Sequence, residues 1–421
     1  MPDQNERAQY GAAAIAHLTG QLPNPFPRVM GPNAMKYLQE VVDSGLGSDM
    51  VARFEAAFAR ALGVKHCVAT PGCTPALAIL AAAFPFAPGD EIIVSPVTDY
   101  GTIQGLFREG YIPVFADTAP GTINFSAETI EPCLGDRTRG ILCVHMTGLM
   151  CDMDPINALA DRHGLIVYED ACQAVFSTYK GRVAGTLAQA AGFSFDSEKT
   201  LGSDVGGCVV TDDDELDERL RFIGHSRGGV GKAGYGRIHT APGYAFRMTQ
   251  STAALTLAQL EIIGENVATR DQMARLLSDL LHDIPGVQAL PIPAWQKVYS
   301  CWMFGFTLEP EQFTCDTASF AAQLADVIPA VGMGAYYLMP EACTFLDEYA
   351  QAKRFPYAQP PASREYRYGA AGTPVAAAFL QRFIRWATIC EKYTEEHCHI
   401  AAQAIRAVAE ANRTVGARVF L

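Results

Sequence analysis

The stretch Gly192-Phe193-Ser194-Phe195-Asp196-Ser197-Glu198-Lys199-Thr200-Leu201 decides the fold. The run Ala191–Phe195 is apolar and reads as a buried strand, and the residues after it turn polar and reach a lysine. Upstream, Val167-Tyr168-Glu169-Asp170-Ala171-Cys172-Gln173-Ala174 ends a second apolar run on two carboxylates. Further runs of this kind lie at Cys67–Thr70, Ile92–Pro96, Pro113–Asp117, Ile141–His145 and Cys208–Thr211, with the acidic one spanning Leu165–Asp170. Segments with helical spacing separate most of them, at Pro75–Phe84, Ile103–Glu109, Pro155–His163 and Glu215–Phe222. Apolar strands alternating with helices predict an α/β fold with a mainly parallel seven-stranded sheet covered on both faces. Ligands of such sheets sit beyond the carboxyl ends of the strands. The residues there are small, polar or titratable: Thr70-Pro71-Gly72, Pro96-Val97-Thr98, His145, Asp170 and Ser194.

Working outward, 421 residues exceed one simple core, so a large and a smaller unit are expected. Residues 1–30, with Pro23, Pro25 and Pro27, read as a loosely structured arm, 31–284 as the large domain and 285–421 as a smaller α+β domain. A helix is expected over Met50–Leu62 and a long one from Thr249 through Leu281. A strand is expected within Val298–Leu308, helices at Ser319–Ala325 and Glu395–Ala411, and an irregular connection at Tyr349–Tyr368. Gly224 to Gly243 reads as a long loop. The net charge of -13 argues against nucleic acid and anionic membrane as partners. The N-terminus has no apolar signal segment, and the most apolar stretch, Pro75 to Pro88, is too short to span a bilayer. The 12 cysteines include no C-x-x-C pair, which suggests free thiols and a reducing cytoplasm.

A lone strand-end aspartate is ordinarily solvated or caps a helix, and most lysines lie on the surface. Asp170 with Lys199, 29 residues apart at the ends of two strands, points to chemistry. A pyridoxal phosphate (PLP) enzyme needs an acid to keep the pyridine nitrogen protonated and a lysine to form the Schiff base. Ser194 would help to hold the phosphate. The turn Thr70-Pro71-Gly72-Cys73-Thr74-Pro75 leads into a helix whose N-terminus suits the same group. Gln173 is placed to touch the ring or its oxygen. Other patterns are discounted. Gly229-Val230-Gly231-Lys232-Ala233-Gly234 matches G-x-G-x-x-G but follows no clear strand and opens no helix. His397 and His399, two apart on a helix, share no face. Trp302, Phe304 and Phe306 alternate as a strand would and read as core.

These pieces resemble the DegT/DnrJ/EryC1/StrS family of PLP-dependent sugar aminotransferases, a branch of fold-type I. The resemblance runs through Gly72-Cys73-Thr74-Pro75-Ala76-Leu77, Pro88-Gly89-Asp90-Glu91-Ile92, Val144-His145-Met146-Thr147-Gly148 and Glu169-Asp170-Ala171-Cys172-Gln173. It continues through Ser194 to Lys199, Gly206-Gly207 and Gly243-Tyr244-Ala245-Phe246-Arg247-Met248. It implies Lys199 as Schiff-base lysine, Asp170 as pyridinium partner and Gln173 on the ring oxygen. Cys73, Thr74 and Ser194 would hold the phosphate. It also implies a homodimer with active sites at the interface, and transfer of an amine from L-glutamate or L-glutamine to a nucleotide-linked keto-sugar or a keto-cyclitol. Ala245 stands where the family has an Asn that reaches the neighbouring subunit. Thr98-Asp99-Tyr100-Gly101-Thr102 replaces T-F-x-A-T, which makes Tyr100 the expected ring-stacking residue. No arginine, Arg247 included, is singled out for the donor carboxylate. A dehydratase on the same fold and a non-catalytic regulatory protein are the alternatives, and the first would replace the lysine with histidine.

Overall fold

Each apolar run becomes a strand: β1 (His66–Thr70), β2 (Glu91–Val94), β3 (Ile112–Phe115), β4 (Thr138–Val144), β5 (Ile166–Asp170), β6 (Ala190–Ser194) and β7 (Gly207–Thr211). The structure is a computed structural model that describes residues 11–225, 229–230, 237–329, 331–333, 336–359, 364–387 and 389–414. The sheet order is β1-β7-β6-β5-β4-β2-β3. All neighbours are parallel except β7, which is antiparallel to both β1 and β6. The reason lies in the connection. A parallel crossover needs a dozen or more residues, usually a helix, whereas the Lys199-bearing segment from β6 to β7 is a string of tight turns. The chain therefore folds straight back, and Lys199 sits in the turn at the sheet's ligand edge.

Side chains alternate across the sheet. Val68, Ile92, Val94, Leu142, Tyr168 and Val209 pack into one core, and Cys67, Ile93, Ile141, Cys143, Phe193 and Val210 into the other. Helices cover both faces. The order continues α1 (Ala34–Asp43), α2 (Met50–Leu62), α3 (Cys73–Ala83), α4 (Tyr100–Arg108), α5 (Met153–His163), α6 (Asp214–His225), α7 (Gln250–Leu260) and α8 (Ile263–His282). α3 is almost wholly apolar and buried around most of its circumference, as a helix inside a large core must be. It begins at Cys73, a little before the expected start, because Pro75 fits a first turn whose N–H groups have no intrahelical partners. The expected long helix breaks into α7 and α8 at Glu261–Ile262, where Ile262 leaves helical geometry and Glu261 is held by Asn33 and Tyr37.

A second sheet is antiparallel throughout, in the order β8 (Val287–Ala289), β9 (Phe304–Leu308), β11 (Phe383–Trp386), β10 (Val331–Met333). Only Phe304–Leu308 of the expected 298–308 segment is strand. Cys301, with φ of 39°, breaks it, and Arg270 Nη1 pins the Cys301 carbonyl at 3.1 Å. The described residues of the irregular 349–368 connection are anchored rather than loose. Arg364 pairs with the buried Glu91, and Tyr368 donates to the Pro113 carbonyl at 3.0 Å. In the 224–243 region, Gly229–Val230 pairs with Arg237–Ile238. The rest of the G-x-G-x-x-G look-alike lies outside the described residues, as do residues 1–10 of the arm. No helix among the described residues is long and apolar enough to cross a membrane.

Candidate active site

At the carboxyl ends of β1, β5 and β6 lies a cavity of about 490 Å³. Six of the seven residues named for the site line it: Cys73, Thr74, Asp170, Gln173, Ser194 and Lys199.

Asp170 ends β5 and is 6% exposed. Its Oδ2 accepts from Thr102 Oγ1 at 2.7 Å and its Oδ1 from the Cys172 N–H at 3.2 Å. Burial nonetheless pushes the carboxyl above its ordinary range; those two bonds and the nearby Lys199 act the other way.

Lys199 is half-buried overall, with its exposure facing the cavity. Its Nζ lies 4.0 Å from the centroid of the Trp302 ring. Burial pulls the ammonium below the usual lysine range, against the pull of Asp170, Asp196, Asp99 and Glu198. A larger neutral fraction near neutral pH makes a better nucleophile.

Trp302 read as core in the sequence, because nothing in an alternating aromatic run announces a break. The kink at Cys301 turns it, and its Nε1 donates to the Glu198 carbonyl at 3.1 Å. Desolvation leads the shift at Lys199, so Trp302→Ala should let water in and raise the amine's pKa. One unit would leave about tenfold less neutral amine. The expected result is coupling of the cofactor-free protein to pyridoxal phosphate slowed about tenfold at neutral pH, with the pH–rate curve moved upward in stopped-flow absorbance.

The start of α3 supplies an anion site. Its first intrahelical bond runs from Ala76 N–H to the Gly72 carbonyl at 3.1 Å, which leaves the N–H groups of Cys73 and Thr74 ahead of the ladder. The backbone here packs closely against the sheet: a Cβ on Gly207, the first residue of β7, would lie 2.4 Å from the Gly72 carbonyl carbon. Ser194 Oγ accepts from Asp196 N–H at 3.4 Å. Gln173 is held from both ends, its Oε1 accepting from Thr147 N–H at 2.6 Å and its Nε2 donating to Tyr336 Oη at 2.8 Å.

Two expectations need correction. Tyr100 does not reach the cavity; it is 38% exposed and its ring meets Phe345 edge-on at 6.1 Å. Asp99 caps α4 by accepting from Gly101 N–H, which makes Tyr100 the first helical residue and leaves Asp99 at the cavity wall. Cys73 is not a free thiol, for it forms a disulfide with Cys172. The other ten cysteines are free. Trp302, 8% exposed, belongs to the core as expected, and it also lines the cavity. Ala245 and Arg247 are exposed and line no part of this cavity.

Arg385, on β11, was singled out by nothing in the sequence. It reaches the cavity from the second sheet, and its Nε is buried without a hydrogen-bond partner among the described residues.

A buried acid, a desolvated amine and a helix start with free N–H groups around one cavity fit a phosphorylated pyridine aldehyde: the acid for the ring nitrogen, the amine for the aldehyde, the helix for the phosphate. The family model for the DegT/DnrJ/EryC1/StrS aminotransferase family matches residues 29–378. The spore coat polysaccharide biosynthesis protein SpsC of Bacillus subtilis (strain 168) is 36% identical over 277 residues, covering 63% of this chain and 70% of the relative. GDP-perosamine synthase of Caulobacter vibrioides (strain ATCC 19089 / CIP 103742 / CB 15) is 35% identical over 281 residues, covering 66% and 75%. The crystal structure of 3-amino-5-hydroxybenzoic acid (AHBA) synthase superposes with a TM-score of 0.80 at 25% identity, over 93% of this chain and 99% of that one. The chain belongs to the DegT/DnrJ/EryC1/StrS aminotransferase family.

Proposed function

We propose that this PLP-dependent aminotransferase carries an amino group from L-glutamate or L-glutamine to the keto group of a nucleotide-linked sugar or a keto-cyclitol, in surface-polysaccharide or secondary-metabolite synthesis. The observation that carries the reading is one cavity walled by the Lys199 amine, the Asp170 carboxylate and the start of α3. The names of the Bacillus and Caulobacter relatives support a sugar acceptor. When bound, PLP supplies an electron sink for the donor's α-carbon. The N–H groups of Cys73 and Thr74, with Ser194, would hold its phosphate, Asp170 would keep the proton on its ring nitrogen, and Gln173 would border its ring oxygen. Lys199 Nζ would take the proton from the donor's α-carbon. Thr102 fixes the orientation of Asp170 through the bond to Oδ2.

Arg385 would bind a donor carboxylate, since a buried guanidinium nitrogen without a partner is costly until an anion meets it. On this reading residues 31–284 hold the cofactor and 285–421 hold the donor. Arg385→Ala should raise the donor KM about 30-fold, in line with loss of a charge-assisted bond. The half-reaction of the pyridoxamine phosphate form with the keto acceptor should keep its rate, and stopped-flow of the two halves separates these outcomes.

A homodimer is part of the proposal. On α1 and the turn after it, Met35, Val42 and Leu46 are 75%, 68% and 72% exposed. Met35 and Val42, seven residues apart, share a face of α1 and, with Leu46 in the turn, offer apolar surface that a second copy would cover. The direct test is a donor screen followed by keto-sugars and keto-cyclitols read by mass. Glutamate or glutamine should bleach the yellow protein. A colour that no amino acid bleaches, or a protein that never takes up the cofactor, would sink the reading.

A further inference from the structure

The turn that carries Lys199 is held from outside itself as well as by its own backbone bonds. Four consecutive carbonyls, from Ser197 to Thr200, each accept from a side chain distant in sequence. Trp302 Nε1 takes Glu198, and Asn266 Nδ2 donates to Thr200 at 3.0 Å. The other bonds come from one residue of the N-terminal arm. Arg28 Nη1 donates to the Ser197 carbonyl at 2.7 Å and to that of Lys199 itself at 2.5 Å, while its Nη2 donates to Thr200 at 3.1 Å. The turn closes around the guanidinium so tightly that a Cβ on Gly202 would lie 2.6 Å from Arg28 Nη1 and 2.8 Å from the Asp196 carbonyl.

The arm is gripped in its turn. Lys392 Nζ donates to the carbonyls of Asn24 at 3.0 Å and of Pro27, and Glu391 Oε1 accepts from Val29 N–H at 3.3 Å. A planar guanidinium presents its N–H groups to the three carbonyls in a rigid fork, whereas an ammonium on a flexible stem does not fix their angles.

We propose that Arg28 is a positioning residue for Lys199: the arm before α1, locked by Lys392 and Glu391, holds the lysine turn in the shape that aims the amine into the cavity. The inference rests on Lys199 being the reactive amine, and the experiment separates the two. In the full-length protein, Arg28→Ala and Arg28→Lys are compared with wild type by two readouts. One is hydrogen exchange of the peptide covering 197–203 without cofactor, where the N–H groups of Lys199 and Ser203 bond to Asp196 and Phe195. The other is coupling of Lys199 to added pyridoxal phosphate, trapped with borohydride and located by peptide mass.

The expected result is exchange in that peptide faster by at least about tenfold, the weight of one of the three charged hydrogen bonds Arg28 makes, with coupling slowed to a similar degree. The melting temperature should move little, and added guanidinium should partly restore Arg28→Ala. Coupling that matches wild type overturns the proposal, whatever the exchange shows. If Arg28→Ala raises exchange throughout the protein, Arg28→Lys decides: a local rise with slower coupling supports the proposal, and none overturns it. Failure of wild type to couple at Lys199 would instead overturn the assignment of the amine, while the exchange readout still reports on the arm.

Discussion

Lys199→Ala is expected to take transamination to background, a loss of at least about 10⁴-fold. The side chain has two tasks on the proposed reading, holding the cofactor aldehyde and moving a proton at the donor's α-carbon, and the described residues lining the cavity offer no second amine or imidazole for either. The fold should survive. The Lys199 N–H to Asp196 carbonyl bond is backbone and stays, and the truncated side chain removes a charge that burial already disfavours. The check is single-turnover absorbance with glutamate and glutamine beside a thermal melt. Turnover above about one per cent of wild type, in a protein with an unchanged melt, would refute the assigned role, because general acid–base catalysis alone contributes about 10²–10⁴-fold.

Asp170→Asn should cost about 10²–10³-fold in kcat with little change in donor KM. The amide has the carboxylate's shape but cannot hold a proton on the ring nitrogen, so the electron sink weakens at the step where charge develops. Its effect on stability should run the other way. A carboxyl raised by burial contributes stability that is present below the ordinary carboxylate range and lost as pH rises through the raised value. An ammonium lowered by burial contributes stability that is present above the ordinary lysine range and lost as pH falls through the lowered value. Between those limits the protein without cofactor bears both costs. Asp170→Asn removes one, so its melting temperature without cofactor at neutral pH should equal or exceed that of wild type, while the increment on adding PLP shrinks. Scanning calorimetry with and without cofactor reads both; a variant that melts lower in both states would show that Asp170 is there for the fold.

The sheet was legible because burial on both faces writes strands as apolar runs, and the acid–lysine pair was legible because the acid ends one such run and the lysine follows closely on another. What stayed hidden came through tertiary contact. Trp302, Tyr336 and Arg385 lie more than a hundred residues beyond Lys199 and enter the cavity by way of the second sheet. The kink that aims Trp302 depends on a positive φ at Cys301, for which cysteine has no local preference. Tyr100 was misplaced because helix phase at a start depends on the cap: with Asp99 as N-cap the ring leaves the sheet edge. The arm read as loose because of its prolines, yet residues 11–18 are helical with Ile15 and Leu18 in the core, and the proline stretch after them is held by side chains such as Lys392.

The link between Cys73 and Cys172 joins the start of α3 to the segment after β5, and both its sulfurs and an Asp170 carboxylate oxygen lie within 4.8 Å of one another. Handling at the bench therefore decides which molecule is being assayed. A batch purified in air and one kept under dithiothreitol are chemically different starting materials at the spot where, on the proposed reading, vitamin B6 would dock, and a pale preparation says nothing about competence until both have been tried.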